Sequence, residues 1–369
     1  MNDSASPQQR MREYIQLVAT GPELSKSLDS DQARDAMELV MSGEIDDVRC
    51  GILLIALRMK RETDEENIGV LNALTGVMTK STSSAPDVLA MADPFNGFLR
   101  SVPATPFVPA VLAACGLPTY IHGIETTGPK YGVTPRMILA ASGSSVDLDP
   151  DAAAARLDAP DSGWSYIDQR HYAAPLHDLM SLRESMVKRT CLSTIEVVLR
   201  PIAGAQRTHL MTGFVHRAYP PVYAALASHA GFHTAALVRG VEGGCIPSLS
   251  QLSRYFASQG SSEPVMQRLV PGELGIEQAD RAIEMPPRFA DDLASSGFGN
   301  TDCLKPVAEH ARDLGLDALS GKAGAMRDSL VYCSAIALAH TGLAPDLEAG
   351  ATRAREALDS GEALARFRA

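Results

Sequence analysis

The amino-acid sequence predicts an α/β protein, in which a helical N-terminal domain is joined to a domain built on a mainly parallel sheet. Three observations carry this reading. Apolar residues recur at helical spacing through residues 8–85. A Ser/Thr-rich stretch, Lys80-Ser-Thr-Ser-Ser-Ala-Pro86, then interrupts the pattern as a linker. Beyond it, short apolar runs alternate with helical ones, as strand–helix–strand units do. The expected limits are a helical domain over 1–86, with a second helical contribution at about 166–196, and an α/β domain over 87–165 and 197–369.

Each element follows from its own residues. Leu28-Asp-Ser-Asp31 leads into Ala33-Arg-Asp-Ala-Met-Glu-Leu-Val-Met41, with Ser30 or Asp31 expected as N-cap and Ser42-Gly43 as the stop. Residues 48–59 and 68–78 repeat the helical period. Val88-Leu-Ala-Met-Ala92 predicts the first strand, Val108–Ala114 a helix, and 117–121 the next strand. Pro135–Ala141 is helical. Residues 209–215 and Thr234–Val238 read as strands around a helix at 220–230. The apolar run from Gly324 to Ala339 predicts a long C-terminal helix. No internal repeat interrupts this order.

Composition narrows the function classes. A 369-residue chain with 45% hydrophobic content and one Trp fits an ordinary globular protein. No apolar run reaches the roughly 18–20 residues that span a bilayer. The start, Met1-Asn-Asp-Ser-Ala-Ser-Pro-Gln-Gln-Arg10, lacks a basic region and apolar core, so a cytoplasmic location is expected. Cys50, Cys115, Cys191, Cys245, Cys303 and Cys333 are scattered without a Cys-x-x-Cys pair, which argues against zinc or a disulfide framework. The net charge of −11 argues against a generic nucleic-acid coat. Residues 161–260 nevertheless hold nine Lys or Arg against six Asp or Glu, so a locally basic cleft on an acidic body is expected.

The most informative stretch is Asp93-Pro-Phe-Asn-Gly-Phe-Leu-Arg100, followed by Leu117-Pro-Thr-Tyr-Ile-His-Gly123 and the polar loop Glu125-Thr-Thr-Gly-Pro-Lys130. A loop entering a helix offers free backbone amides to an anion. This one is poor in glycine, and Phe95 and Phe98 crowd the place where a phosphate would approach.

These segments together resemble anthranilate phosphoribosyltransferase and its glycosyltransferase relatives, over most of the chain. Ala33 to Glu44 and Ala56-Leu-Arg-Met-Lys-Arg-Glu-Thr-Asp-Glu-Glu66 look like that family's helical domain, and Gly324 to Val331 and Ala357-Leu-Asp-Ser-Gly361 like its closing helices. The resemblance implies the fold of the nucleoside phosphorylase and phosphoribosyltransferase type. Its functional motifs differ. The family's Gly-Thr-Gly-Gly-Asp-Gly diphosphate loop is replaced by Asp93-Pro-Phe-Asn-Gly-Phe98, and of its Lys-His-Gly-Asn-Arg run only His122 and Gly123 remain. The Asp and Glu that hold magnesium are replaced by Cys245 and Ile246 in Arg239-Gly-Val-Glu-Gly-Gly-Cys-Ile246, leaving Glu242 as the nearby carboxylate. Mg²⁺ wants oxygen ligands, so no cofactor is expected and the standard reaction on anthranilate is not.

Phe95-Asn-Gly97, Thr105-Pro-Phe-Val108, Ile121-His-Gly123 and the run Lys188 to Pro201 look like a non-standard paralogue branch. Some of its members bind nucleic acid as dimers, through a basic groove. The candidate ligand-binding residues are therefore Asn96, Gly97, His122, Gly123, Arg183, Lys188, Arg189 and Arg239, with catalytic residues unassigned. For Asn96 and Gly97 a simple turn competes with a ligand role. For the cations a solvated face competes with an anion site. Three functions follow: a homodimeric protein binding an anionic small molecule, DNA or RNA between its domains; an active glycosyl or phosphoribosyl transferase with altered donor or acceptor; and a dimeric scaffold.

Overall fold

Each N-terminal helix begins where a short polar side chain satisfies the free amides of its first turn. The computed structural model describes residues 5–21, 23–296 and 299–369, so the first four residues of the N-terminal stretch read above lie outside it. It places α1 at Pro7–Val18, α2 at Ser30–Met41, α3 at Asp47–Lys60 and α4 at Asp64–Gly76, capped by Ser6, Asp29, Asp46 and Thr63. The cap of α2 is thus Asp29, ahead of the expected Ser30 or Asp31. Asp29 accepts from the Gln32 amide at 2.8 Å while the Gln32 side chain accepts from the Asp29 amide at 3.1 Å. This reciprocal pair satisfies two free donors at once, which a hydroxyl at position 30 would not do. α2 and α4 meet at Gly69, where a Cβ would lie 2.3 Å from the Ser30 carbonyl oxygen.

Nine strands follow among the described residues: β1 (Ser81–Thr82), β2 (Asp87–Ala92), β3 (Thr119–Gly123), β4 (Trp164–Asp168), β5 (Ile202–Ala203), β6 (Arg207–Gly213), β7 (Thr234–Val238), β8 (Ser253–Gln259) and β9 (Val265–Leu269). Seven form one sheet in the order β4-β3-β2-β6-β7-β8-β9. β4 to β7 run parallel, and β8 and β9 extend the sheet antiparallel. The expected linker contains β1, which pairs in parallel with β5. The second helical contribution, expected from about 166, begins only at Gln169, because Trp164–Asp168 is a fully buried strand. Its buried, aromatic sequence Trp-Ser-Tyr-Ile-Asp has no polar face to reveal a period of two.

Side chains alternate across the sheet and so serve two cores. Val88, Ala90 and Ala92 of β2 join the cluster that includes the N-terminal helices, and Leu89 and Met91 join the one under the C-terminal helices. Those helices are Leu304–Leu319, Ala325–His340, Leu347–Asp359 and Glu362–Arg368. No helix among the described residues is long and apolar enough to cross a membrane. The helical N-terminal domain and mainly parallel sheet agree with the fold class read from the sequence.

Candidate functional site

β2, β3, β6 and β7 are parallel, so the loops after them gather at one end of the sheet, where α/β proteins place ligand contacts. The loop after β2 turns sharply: the Gly97 amide donates to the Pro94 carbonyl at 2.8 Å. Gly97 has φ 71°, and a Cβ there would lie 2.3 Å from the Gly132 carbonyl oxygen. Beside it, the amides and carbonyls of Phe98 and Val133 exchange two hydrogen bonds at 2.9 Å. Gly97 is therefore required by the turn and by this close backbone approach.

Asn96 is different. With its carboxamide oxygen toward Arg189, it accepts from Nε at 2.6 Å and Nη2 at 2.9 Å. This contact joins the 169–195 helical segment to the sheet end. Together with Arg58 of α3, Phe95, Tyr219 and Tyr223, these two residues line a pocket of about 200 Å³. Arg58 also lies 3.6 Å from Glu62. Burial works against its charge, but Tyr219 and Glu62 more than offset that and raise its pKa. The pocket thus presents two cations among aromatic walls, and the two carboxylates that also line it, Glu196 and Glu242, are engaged by Arg183 and Lys130.

Next to it, Glu242 is surrounded by donors. The Leu99 and Arg100 amides donate to its carboxylate at 3.2 and 2.8 Å, the Ser101 hydroxyl donates at 3.0 Å, and the Lys130 ammonium donates as well. Burial raises the cost of its charge. The Lys130 hydrogen bond and charge, with both amides, outweigh that and hold the carboxyl below its usual range. Lys130 also sits 5.6 Å from the centre of the Phe98 ring.

The other candidates do not all reach this pocket. His122 points from β3 into the core, where Nδ1 lies 2.9 Å from the Tyr172 hydroxyl and burial pushes its pKa down to about 3. It and Gly123 line a separate void of about 10 Å³ with Asp93 and Tyr166. Arg183 is buried in a two-pronged pair with Glu196, at 2.7 and 2.8 Å. Lys188 is exposed beside Arg189 in sequence, and Arg239 is exposed after β7. Of the four expected cations, Arg189 alone lines the pocket.

Asp93, at the end of β2, accepts from the Cys245 amide at 2.9 Å, and burial raises its pKa. Cys245 itself is fully buried, with burial and the Asp93 charge pushing its thiol pKa well up, which is the opposite of an activated nucleophile. All six cysteines are free and buried. Sequence alone does not single out Arg58, Lys130 or Tyr219 as pocket or cradle residues. Lys130 carried a usable signal, a polar loop directly after a parallel strand, while Arg58 sits on a helix whose pattern reads only as packing.

Residues 12–76 match the family described as glycosyl transferase family, helical bundle domain. The chain is 27% identical over 361 residues to an anthranilate phosphoribosyltransferase of Bradyrhizobium sp. (strain BTAi1), covering 97% of each sequence. It is 28% identical over 353 residues to that of Xanthobacter autotrophicus, covering 95% of this chain and 92% of the relative. The yeast enzyme from Saccharomyces cerevisiae, solved in complex with PRPP and Mg, is similar in fold, with a TM-score of 0.77 at 15% identity over 98% of this chain and 97% of that one. The enzyme from Thermus thermophilus gives a TM-score of 0.74 at 18% identity, covering 97% of both chains. The chain is thus similar over nearly its whole length to anthranilate phosphoribosyltransferases, and shares their fold.

Proposed function

We propose that this protein binds a small anion carrying a planar or aromatic group in the pocket between its helical segments and the sheet end, and that it does not perform the diphosphate- and magnesium-dependent transfer of its relatives. The observation that carries this reading is the pairing of Arg58 and Arg189 with Phe95, Tyr219 and Tyr223 around about 200 Å³. A guanidinium holds carboxylate or phosphate by paired hydrogen bonds, and the phenol rings cover a flat ligand.

The metal side of the reading rests on engaged groups. Glu242 is held by Lys130 and two amides, Asp93 is buried against Cys245, and Cys245 and Ile246 offer no oxygen to a magnesium ion. The residues present do not fit Mg²⁺. Titration calorimetry against a panel of aromatic carboxylates and their phosphorylated counterparts tests the proposal. A ligand should bind to the native protein and lose at least about tenfold in affinity in Arg58→Ala, roughly one charge-assisted hydrogen bond. Turnover of anthranilate with PRPP and Mg²⁺ at about 1 s⁻¹ or faster would overturn the reading and favour an active transferase.

Arg189, which lines the pocket, and Lys188, exposed beside it in sequence, support nucleic acid as a second reading. Affinity for DNA would then fall with salt, and Lys188→Ala with Arg189→Ala would lower both affinity and salt slope. No binding at low salt would reject it. We further propose a homodimer through the N-terminal helices, where Val48, Ile52 and Met59 of α3 are exposed.

A further inference from the structure

The Glu242 carboxylate is bound as a ligand would be. One oxygen accepts from the Arg100 amide at 2.8 Å and the Ser101 hydroxyl at 3.0 Å. The other accepts from the Leu99 amide at 3.2 Å and from the Lys130 ammonium. Two successive backbone amides, a hydroxyl and an ammonium aimed at one centre are the donor set that receives phosphoryl oxygens. Arg100 and Arg189 are also close enough to act on Lys130 electrostatically, so further cations lie near this ammonium. Glu242 reaches this position with φ 52°, a left-handed conformation that costs a non-glycine residue about 1–2 kcal/mol. Its side chain therefore recovers that cost through these four contacts. Glu242 also lines the pocket, so the donor cluster abuts the cleft.

We propose that Glu242 is an internal anion filling an oxyanion cradle formed by the Leu99 and Arg100 amides, Ser101 and Lys130, and that it bars phosphate groups from that cradle. Glu242 is thus a specificity-determining residue: it leaves the cleft's ligand to be held from the Arg58 and Arg189 side. Without the carboxylate, the same donors accept a phosphoryl group. This inference deepens the cleft reading but is tested apart from it, because its probe is inorganic pyrophosphate with no aromatic ligand present.

The experiment is calorimetric titration of the full chain with pyrophosphate in phosphate-free buffer. Glu242→Gly removes the carboxylate and suits the left-handed backbone. Glu242→Gln keeps the shape, removes the charge and sets an NH2 donor against the cradle's own donors. Circular dichroism verifies the fold of each. At least one of these folded variants should bind pyrophosphate at least about tenfold more tightly than the native protein, and adding Lys130→Met should abolish the gain. Equal affinity of native protein and both variants, no binding by either folded variant, or a gain that survives Lys130→Met would each overturn the proposal. Loss of aromatic-ligand binding in Arg58→Ala has no bearing on these outcomes.

Discussion

Replacing Arg183 by Ala should destabilise the protein by about 3–5 kcal/mol, because it strands the Glu196 carboxylate at the wall of the cleft. Its side chain is 5% exposed and that of Glu196 is 2% exposed. Two charge-assisted bonds of 2.7 and 2.8 Å join them, each worth about 1.5–3 kcal/mol. Truncating Arg183 leaves Glu196 buried without its counter-charge, and desolvating a carboxylate costs several kcal/mol. The two contributions overlap, since the lost bonds and the stranded charge describe the same change, so they are not summed. Guanidinium-induced unfolding followed by circular dichroism reads the effect, with Arg183→Met and Glu196→Gln combined as the control. Removing both charges should restore most of the lost stability, because no unpaired ion then remains. A loss below about 1 kcal/mol for Arg183→Ala would refute the reasoning. So would a double variant no more stable than the single one. Either result would show that a stranded Glu196 charge is not what sets the loss.

Stability should also fall as the solution is acidified from about pH 6.5 towards 3. His122 has its folded pKa lowered from 6.5 to about 3 by burial, so the unfolded chain takes up the proton first. Its contribution is whole above pH 6.5 and is lost by up to about 1.4 kcal/mol per pH unit across that window. Unfolding curves at several pH values should flatten in His122→Gln, and an unchanged slope would show that His122 titrates normally. Light scattering at micromolar concentration should give a dimer. Met59→Glu, at a position 76% exposed on α3, should shift it towards monomer. A monomeric native protein would leave that surface to another partner.

The sequence by itself determined the elements whose signals are local. Pro135–Ala141 and Thr234–Val238 have the bounds read from their residues, because a helix start at Pro and a short apolar run bounded by turns are short-range facts. The Asn96-Gly97 turn was legible for the same reason. β4, β8 and β9 were not. β4 is buried on both faces and lacks alternation, while the antiparallel pair is stabilised by cross-strand partners that no local window contains. The site divides along the same line. Asn96 and Arg189 were named from sequence, but their contact depends on folding the helical segment back over the sheet end. Arg183 and Arg189 read alike as cations six positions apart, and only Glu196, at hydrogen-bonding distance, makes one of them structural. Lys130 and Glu242 are 112 residues apart, and Leu99 and Glu242 are 143 apart. Their meeting is set by strand order and by one left-handed backbone angle. Sequence states which charges a chain carries. Tertiary structure decides which are already neutralised within it, because Coulomb and hydrogen-bond energies depend on distances that only the packed sheet brings to about 3 Å.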